Sequence, residues 1–245
     1  MENLKPIKDF LTVELIGKTE LQFDTENPES SDIIYMALSQ CYNKSYGKEE
    51  FLKDSQKKKN SITTKVLKSG HTSVSEHLYY TFLIKGLSLP AKVQLIRHRI
   101  ASPTERSLRY TTVDSDTQWF VVPDTVFKRK DLLKEAIDVS QVIINFYNKL
   151  LDNGIPAEDA RYFLFFGTST NLVFTINARS LKNFFGERLC SRAQNEIRIL
   201  ANKMKELLVK DNSLIFKENK FAEPKCVQTG FCYEDNPCRK EFKIS

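Results

Sequence analysis

The spacing of hydrophobic positions predicts a chain that mixes strands and helices. The opening segment FLTVELIGKTELQF alternates as one or two strands would, and residues 78–84 alternate as a half-buried strand. Helical spacing recurs in ESSDIIYMALSQCYN, with Ser as the expected cap, and in residues 48–68 and 129–153. Pro90 and Pro156 each open a further predicted helix, since proline is tolerated in a first helical turn.

The second half of the chain continues this mixture. Residues 107–122 are rich in Tyr, Thr, Val and Phe and are predicted to be extended, and NLVFTI is predicted to be a short buried strand. A helix is expected in NARSLKNFFGERL and another, strongly amphipathic, in AQNEIRILANKMKELL. Without repeats or linkers, the pattern predicts one α+β domain over 1–210, with 211–245 as a cysteine-containing tail packed on it.

Composition places the chain among globular proteins. It has 245 residues, of which 41% are hydrophobic, and it includes 17 Phe, which is too much apolar area for a mostly disordered chain. No uncharged apolar run approaches the roughly 18 residues of a membrane span, and the start has no apolar core of signal-peptide length. We therefore expect a cytoplasmic protein that does not bind membranes.

The charge balance favours an anionic ligand. The formal net charge of +6 follows from 37 basic and 31 acidic residues. Such a modest excess suits a small phosphorylated substrate as well as it suits nucleic acid. The run KDSQKKKN is interpreted as a solvated face or loop rather than as a nucleic-acid arm.

The cysteines and histidines predict no metal site. Five cysteines are an odd number without a CxxC pair, so neither a disulfide framework nor a zinc ribbon is favoured. Three of them, Cys226, Cys232 and Cys238, lie in the tail, where the expected role is surface thiol or loop packing. All three histidines, by contrast, fall between 71 and 98, and this clustering is the first indication of a functional site.

The segment QLIRHRIASPTERSLRY concentrates arginine around one carboxylate. On the predicted helix, Arg97, His98 and Arg99 point about 100° apart and must serve different parts of a ligand. A guanidinium binds phosphate bidentately and also polarises a carbonyl, so the segment suits a nucleotide. From spacing alone, a solvated basic helix end is an equal alternative.

Three motifs in order resemble one enzyme family. Arg97-His98-Arg99 is followed after seven residues by Ser107 and then by Arg109-Tyr110. Upstream stands GHTSVSEH, and downstream stands NARSLKNF with Arg188 and Gln194. Over roughly residues 30–208, this order and spacing resemble the flavin-dependent thymidylate synthases.

The resemblance implies a fold, an assembly and a reaction. The fold would be a mainly antiparallel sheet flanked by helices, in a homotetramer whose active sites lie between subunits. Each site would hold FAD with dUMP against it, and dUMP would be methylated to dTMP with methylenetetrahydrofolate as carbon donor and NADPH as reductant. The family uses no cysteine nucleophile. Since the chain has no GxGxxG, Arg and His side chains are expected to meet the FAD pyrophosphate.

The resemblance also assigns residues. Arg188 is the expected catalytic residue, because a buried guanidinium beside the uracil would stabilise negative charge on the ring. The residues implied to bind dUMP are Gln94, Arg97, Glu105, Arg106, Ser107, Leu108, Arg109, Arg161 and Arg188. Those implied to bind FAD are His71, Ser73, Arg97, His98, Arg99, Glu105, Asn177, Ala178, Arg179 and Asn183.

The chain departs from the family pattern at several positions, and two other functions are alternatives. Thr104 stands where Asn is usual, Leu108 where Gly is frequent, and Arg192 where many members have His. One rival is a relative that transfers a different one-carbon unit, such as a dUMP hydroxymethylase. The other is a basic nucleic-acid-binding module that uses the arginine cluster, whose affinity would fall steeply with salt.

Overall fold

A four-stranded antiparallel sheet organises the chain, seen in a computed structural model that describes residues 4–23, 28–232 and 234–238. The strands are β1 (Thr12–Lys18), β2 (Tyr79–Ser88), β3 (Ala101–Glu105) and β4 (Ser169–Asn177), in the order β1-β2-β4-β3. The predicted α+β class with a mainly antiparallel sheet is confirmed. Inward-facing residues of β2 alternate with exposed ones at its start, as the sequence pattern predicted.

Eleven α-helices lie in the described part of the chain. They are α1 (Ile7–Phe10), α2 (Asp32–Tyr42), α3 (Lys48–Lys53), α4 (Gln56–Lys68), α5 (Leu89–Leu95), α6 (Asp124–Phe127), α7 (Lys130–Asp152), α8 (Ala157–Ala160), α9 (Ala178–Arg188), α10 (Asn195–Asp211) and α11 (Lys225–Thr229). Short 3-10 segments occupy Ser73–His77 and Arg161–Phe163, and a π-helical turn occupies Leu214–Glu218.

The residues cluster into two compact units, and the first contains the described residues of Met1–Val13, Leu83–Arg97 and Pro103–Phe174. Its core is the cluster of Val113, Trp119, Phe120, Val122, Ile144, Tyr147 and Ala160. The long helix α7 contributes its buried face, and the Tyr147 hydroxyl lies 3.4 Å from the backbone N–H of Val113. Burying such aromatic surface is the main source of stability for this unit.

The second unit contains the described residues of Glu14–Phe82, His98–Ser102 and Thr175–Ser245. Its core carries a chain of edge-to-face aromatic contacts through Tyr80, Phe216 and Phe185. Asp211, the last residue of α10, accepts hydrogen bonds from Lys18 Nζ at 2.8 Å, Ser30 Oγ at 2.8 Å and Tyr80 Oη at 3.1 Å. Burial and this carboxylate raise the pKa of Tyr80, so its hydroxyl remains the donor. The tail beyond 211 packs here, with α11 against α9.

Several local predictions were wrong. The helix opened by Pro90 ends at Leu95, so Arg97, His98 and Arg99 lie in irregular backbone rather than on one helix. Residues 107–122 contain turns and a single bridge between Phe120 and Thr168 instead of strands. The predicted helix over 48–68 is divided into α3 and α4 at Asp54 and Ser55, where Ser55 caps α4. In these segments the hydrophobic periodicity is weak. The backbone conformation there is set by helix caps or by hydrogen bonds to residues distant in sequence.

A further correction concerns the burial of a lysine in the run KDSQKKKN. Lys59, inside the run interpreted as solvated, is only 5% exposed, and its Nζ lies 3.5 Å from the centre of the Phe51 ring. This cation–π contact compensates part of the cost of burying the ammonium group. Cys41, in the last turn of α2, is exposed. The buried face of that helix is formed by Ile34, Tyr35 and Leu38.

Two glycines of the first unit offer a matched test of backbone packing. Gly86 in β2 has φ +76°, and a Cβ there would lie 2.8 Å from the carbonyl oxygen of Phe10. Gly154, after α7, has φ +78° with nothing within 4 Å of its Cβ position. Both positions require the left-handed region that favours glycine, but only Gly86 lacks space.

We expect Gly86→Ala to lower the free energy of unfolding by about 1–3 kcal/mol more than Gly154→Ala, because it adds a clash to the same backbone strain. Urea unfolding of the two variants and the parent chain measures this difference. Equal losses in the two variants would show that the contact with Phe10 relaxes without cost.

Candidate active site

Arg188 and His98 form the central pair of the candidate site in the second unit. Arg188 is the last residue of α9, and its Nε donates a hydrogen bond of 3.1 Å to Nε2 of His98. The His98 ring packs edge-on against Phe184, one helical turn before Arg188, with ring centres 5.1 Å apart. The histidine is thus held between an aromatic ring and a guanidinium, both presented by one helix.

The environment keeps His98 neutral. Burial, and then the positive charge of Arg188, lower the pKa of His98 to about 4 from its ordinary 6.5. Since Nε2 accepts the bond from Arg188, the single ring proton belongs on Nδ1. At neutral pH the imidazole therefore acts as an acceptor that orients the guanidinium of Arg188.

Several of the predicted flavin residues lie where the Ser73–His77 segment packs against α9, whereas Arg97 and Glu105 belong to the first unit. Asn177 caps α9, since its Oδ1 accepts a 2.8 Å hydrogen bond from the backbone N–H of Ser180. Arg179, in the first turn, forms an ion pair with Glu76 of the Ser73–His77 segment. Two motifs about one hundred residues apart in sequence thereby lie together in the second unit.

The other predicted flavin residues of this unit differ in exposure. His71, Ser73, Arg99 and Asn183 are exposed, whereas Ala178 is buried. The exposed members carry donors that a ligand can reach, while Ala178 and the Asn177 cap fix the start of α9. Ser73 is the first residue of its 3-10 segment, and the N-cap Thr72 makes no side-chain cap hydrogen bond.

In the first unit, Arg109 and Arg161 converge on Glu158 of α8. The Nε of Arg109 lies 2.9 Å from Glu158 Oε2, and the Nε of Arg161 donates to the Glu158 carbonyl oxygen at 3.1 Å. Both guanidinium groups are therefore brought to one place, as the resemblance implies for a phosphate site. Arg109 also lies 5.3 Å from the Tyr110 ring centre.

The neighbouring predicted residues serve mainly as anchors in this structure. The backbone N–H of Arg106 donates to the Asn171 carbonyl at 2.9 Å, and its Nη2 donates to the Ser169 carbonyl at 3.1 Å. These bonds turn the guanidinium toward β4 rather than toward Arg109. Glu105 lies 3.0 Å from Lys92 Nζ, and Leu108 packs on the core of the unit.

The remaining members of the predicted dUMP set lie around these anchors. The Ser107 hydroxyl is 3.3 Å from the backbone N–H of Arg109 and helps to close the turn. Gln94 is half-buried on α5, and Arg97 is exposed just beyond the end of that helix. The first unit thus presents Arg97, Arg109 and Arg161 as guanidinium groups that a ligand can approach, since all three lie at least partly in solvent.

The sequence analysis missed two partners of the site. Glu158, which holds Arg109 and Arg161, stood in a predicted helix without an assigned role. Phe184, which packs on His98, looked like one more core aromatic. A carboxylate in the first turn after Pro156, three residues before Arg161, was the available signal for Glu158.

Within residues 4–23, 28–232 and 234–238, no group of three or more His, Cys, Asp or Glu is arranged to hold a metal ion. In the same ranges, no helix combines the length and apolar composition that crossing a bilayer requires.

Comparison with known proteins points to one family. The family model described as thymidylate synthase complementing protein matches residues 22–211. A flavin-dependent thymidylate synthase from Pyrococcus furiosus is 38% identical over 190 residues, covering 76% of this chain and 78% of that protein. Another, from Geobacter sulfurreducens, is 40% identical over 232 residues, covering 93% of this chain and 96% of that protein.

A solved structure shows the same fold. The crystal structure of the UMP/dUMP methylase PolB from Streptomyces cacaoi, bound with 5-Br dUMP, matches 86% of this chain and 94% of that one with a TM-score of 0.71 at 24% identity. The family match covers most of the chain and contains all of the predicted site residues. The chain therefore belongs to the family of the flavin-dependent thymidylate synthases.

Proposed function

We propose that the protein catalyses reductive methylation of dUMP to dTMP. The observation that best supports this proposal is the hydrogen-bonded Arg188–His98 pair, which lies within the sequence motifs of the flavin-dependent thymidylate synthase family. When bound, reduced FAD supplies the reducing equivalents, NADPH restores them, and methylenetetrahydrofolate supplies the carbon. The chain's own residues bind, orient and polarise the nucleotide.

Arg188 is the proposed catalytic residue. Uracil C5 attacks an electrophile only when negative charge builds on the ring, and an oriented guanidinium beside the ring stabilises that charge. Arginine remains protonated in proteins and so cannot readily act as the base. The hydrogen bond from Nε to His98 fixes the orientation in which the Arg188 guanidinium would meet the pyrimidine.

Arg109 and Arg161 are the proposed phosphate ligands. Each is oriented by Glu158 through its Nε, an arrangement that leaves the terminal nitrogens for the phosphate oxygens. The Ser107 hydroxyl, in the same turn as Arg109, adds a donor for the phosphate. Binding energy from this end of the nucleotide holds C5 in place, and such orientation contributes on the order of 7 kcal/mol at best.

The polar groups of the second unit suit FAD. Arg99, Arg179 and His71 offer exposed donors for an anionic pyrophosphate, which suits a chain without a glycine-rich phosphate loop. Arg179 is held by Glu76, a carboxylate that is itself about half exposed (49%) and easily displaced. We therefore infer that the Ser73–His77 segment and the start of α9 form the FAD-binding surface.

Exposed apolar residues on α7 support the proposed homotetramer. Leu132, Val139, Val142 and Phe146 are 39%, 59%, 70% and 44% exposed. At about 100° per residue they fall on one side of the helix, next to its buried face. Monomeric proteins rarely leave a stripe of this kind in water, so we infer that a second copy covers it. We likewise propose that the active sites lie between subunits, as the resemblance implies, and that the protein is cytoplasmic.

We expect Arg188→Ala to lower the rate of dTMP formation by about 10²–10³-fold, the cost of one lost transition-state donor. Chromatography of the nucleotides formed from dUMP, methylenetetrahydrofolate and NADPH measures the rate. Arg129→Ala is the control, because Arg129 is an exposed residue whose ion pair is with Asp131 in the first turn of α7. Circular dichroism should show both variants folded.

Normal turnover by the Arg188 variant would remove this residue from its assigned role. Formation of 5-hydroxymethyl-dUMP without dTMP by the parent enzyme would instead favour the hydroxymethylase alternative. Colourless protein that takes up no FAD and binds nucleic acid in a salt-dependent way would favour the remaining alternative.

The pKa of His98 gives a second test. Because burial and Arg188 lower the pKa to about 4, NMR titration should find the His98 ring neutral down to that pH. The unfolded chain binds this proton near pH 6.5, so the free energy of unfolding should fall as the pH drops from about 6.5 to about 4. In Arg188→Gln the pKa should rise, since one of its two causes is removed. A pKa unchanged by this substitution would contradict the contact.

The apolar stripe gives a third test. Val142→Glu should dissociate the assembly and abolish dTMP formation, because a carboxylate cannot be buried unpaired against a second copy. Gln141→Glu is the matched control, since Gln141 is exposed on the polar side of the same helix. Analytical ultracentrifugation at equal concentration separates the outcomes. A Val142→Glu variant that keeps the parent's molecular mass would show that the stripe is not the interface.

A further inference from the structure

A cavity of about 500 Å³ lies beside Arg188, entirely within the second unit. One wall is the end of α9 and the turn after it, with Arg188, Cys190 and Arg192. The opposite wall is the C-terminal tail, with Cys226, Cys232 and others. The proposed catalytic arginine and the C-terminal tail, which has no role in the proposed function, therefore line the same cavity.

The tail wall is fastened to α9 and to the turn after it. Gln228 of α11 donates to the Lys182 carbonyl at 2.8 Å, and its amide lies 3.5 Å from the Cβ position of Gly186. Farther along, Arg192 donates from Nη2 to the Asn236 carbonyl at 2.8 Å and pairs with Glu234 at 3.5 Å. The family model matches residues 22–211, so this wall lies beyond the matched segment.

Thiols are concentrated in this cavity. Of the five cysteines, Cys190, Cys226 and Cys232 line it, while Cys41 and Cys238 are exposed and do not. Cys232 is only 7% exposed, and the other two lining cysteines are half-buried. The cavity also carries three cationic side chains, Arg188, Arg192 and Lys225, against two carboxylates. An anionic thiol reagent is attracted by such a surface.

We propose that the cavity is a thiol-modification site in which Cys190 forms a disulfide with Cys226 or Cys232 of the tail. Its effect on turnover rests on the proposed function, because the cavity borders Arg188. This disulfide would join the two walls of the cavity, whereas a disulfide between Cys226 and Cys232 would lie within the tail wall. Low-molecular-weight disulfides are the class of oxidant.

The chemistry balances as two exchange steps. The thiolate of one cavity cysteine attacks the disulfide RSSR, forms a mixed disulfide with one RS group and releases one RS⁻. The thiolate of the second cysteine attacks the protein sulfur of that mixed disulfide and releases the other RS⁻. Two protein thiols are thereby oxidised by two electrons, and one RSSR is reduced to two RSH.

The disulfide would act on Arg188 by geometry. A disulfide requires Cα atoms about 4.4–6.8 Å apart, which draws the tail against the turn that follows α9. Cys190 is two residues after Arg188, so this turn sets where the guanidinium can lie. Cys232 lies in the stretch 231–238, which has no helix or strand among its described residues, whereas Cys226 lies in α11.

The test oxidises the reduced FAD-loaded enzyme with glutathione disulfide. Remaining thiols are blocked with iodoacetamide, and proteolysis followed by mass spectrometry maps the disulfides. We expect a peptide pair that joins Cys190 to Cys226 or Cys232, together with at least a tenfold fall in dTMP formation. Dithiothreitol should restore the rate. The single variants Cys226→Ser and Cys232→Ser identify the tail partner.

Matched cysteine variants make the result specific. Cys190→Ser should keep its rate after oxidation, whereas the double variant Cys41→Ser, Cys238→Ser should be inhibited like the parent enzyme. A disulfide that omits Cys190, or glutathione adducts alone, would overturn the proposal. So would a Cys190 disulfide that leaves the rate unchanged.

This design separates the thiol site from the proposed function. If the reduced enzyme formed no dTMP, the proposed function would fail on that measurement alone. Peptide mapping would still decide whether Cys190 pairs with the tail, because it requires no turnover. An inhibited parent enzyme with an inhibited Cys190→Ser variant would place the oxidised group elsewhere and contradict the inference.

Discussion

A hydrogen bond from a guanidinium to a neutral imidazole is the constraint on which the candidate site depends. Arg188 can donate to His98 only while the ring is unprotonated, and the burial of His98 enforces that state. Removal of the bond would leave a buried acceptor unsatisfied, which costs about 1–3 kcal/mol. His98 therefore orients the arginine without adding a charge of its own.

The helix α9 carries this arrangement from end to end. Its start is fixed by the Asn177 cap and by the backbone N–H of Ala178, which donates to the Leu78 carbonyl at 2.8 Å. Its last residue is Arg188, and Phe184 on the same face packs against His98. Eleven residues of helix span about 16 Å, so one rigid element sets the distance between the proposed flavin contacts and the catalytic arginine.

The sequence predicted the long elements and the motif residues far better than it predicted the turns. In helices α7 and α10 and in strand β2, hydrophobic residues recur with the period of the element. Such elements can be predicted from the local sequence alone. The irregular segment that contains Arg106 and Arg109 is held by partners distant in sequence, β4 for Arg106 and Glu158 for Arg109. Periodicity holds no information about these partners. The resemblance found the arginines but not what orients them.

The exposed ion pairs explain how a site of paired arginines can still take anions. All four side chains of these pairs are about half exposed. The values are 51% for Arg109 and 47% for Glu158, and 51% for Arg179 and 49% for Glu76. Pairs of this kind contribute about 0–1 kcal/mol, because water screens the charges and long side chains lose freedom. A phosphate or pyrophosphate that accepts two hydrogen bonds from a guanidinium displaces the carboxylate at little cost. In the proposed function, the carboxylates hold the arginines in place before the ligand arrives, and the ligand then replaces them.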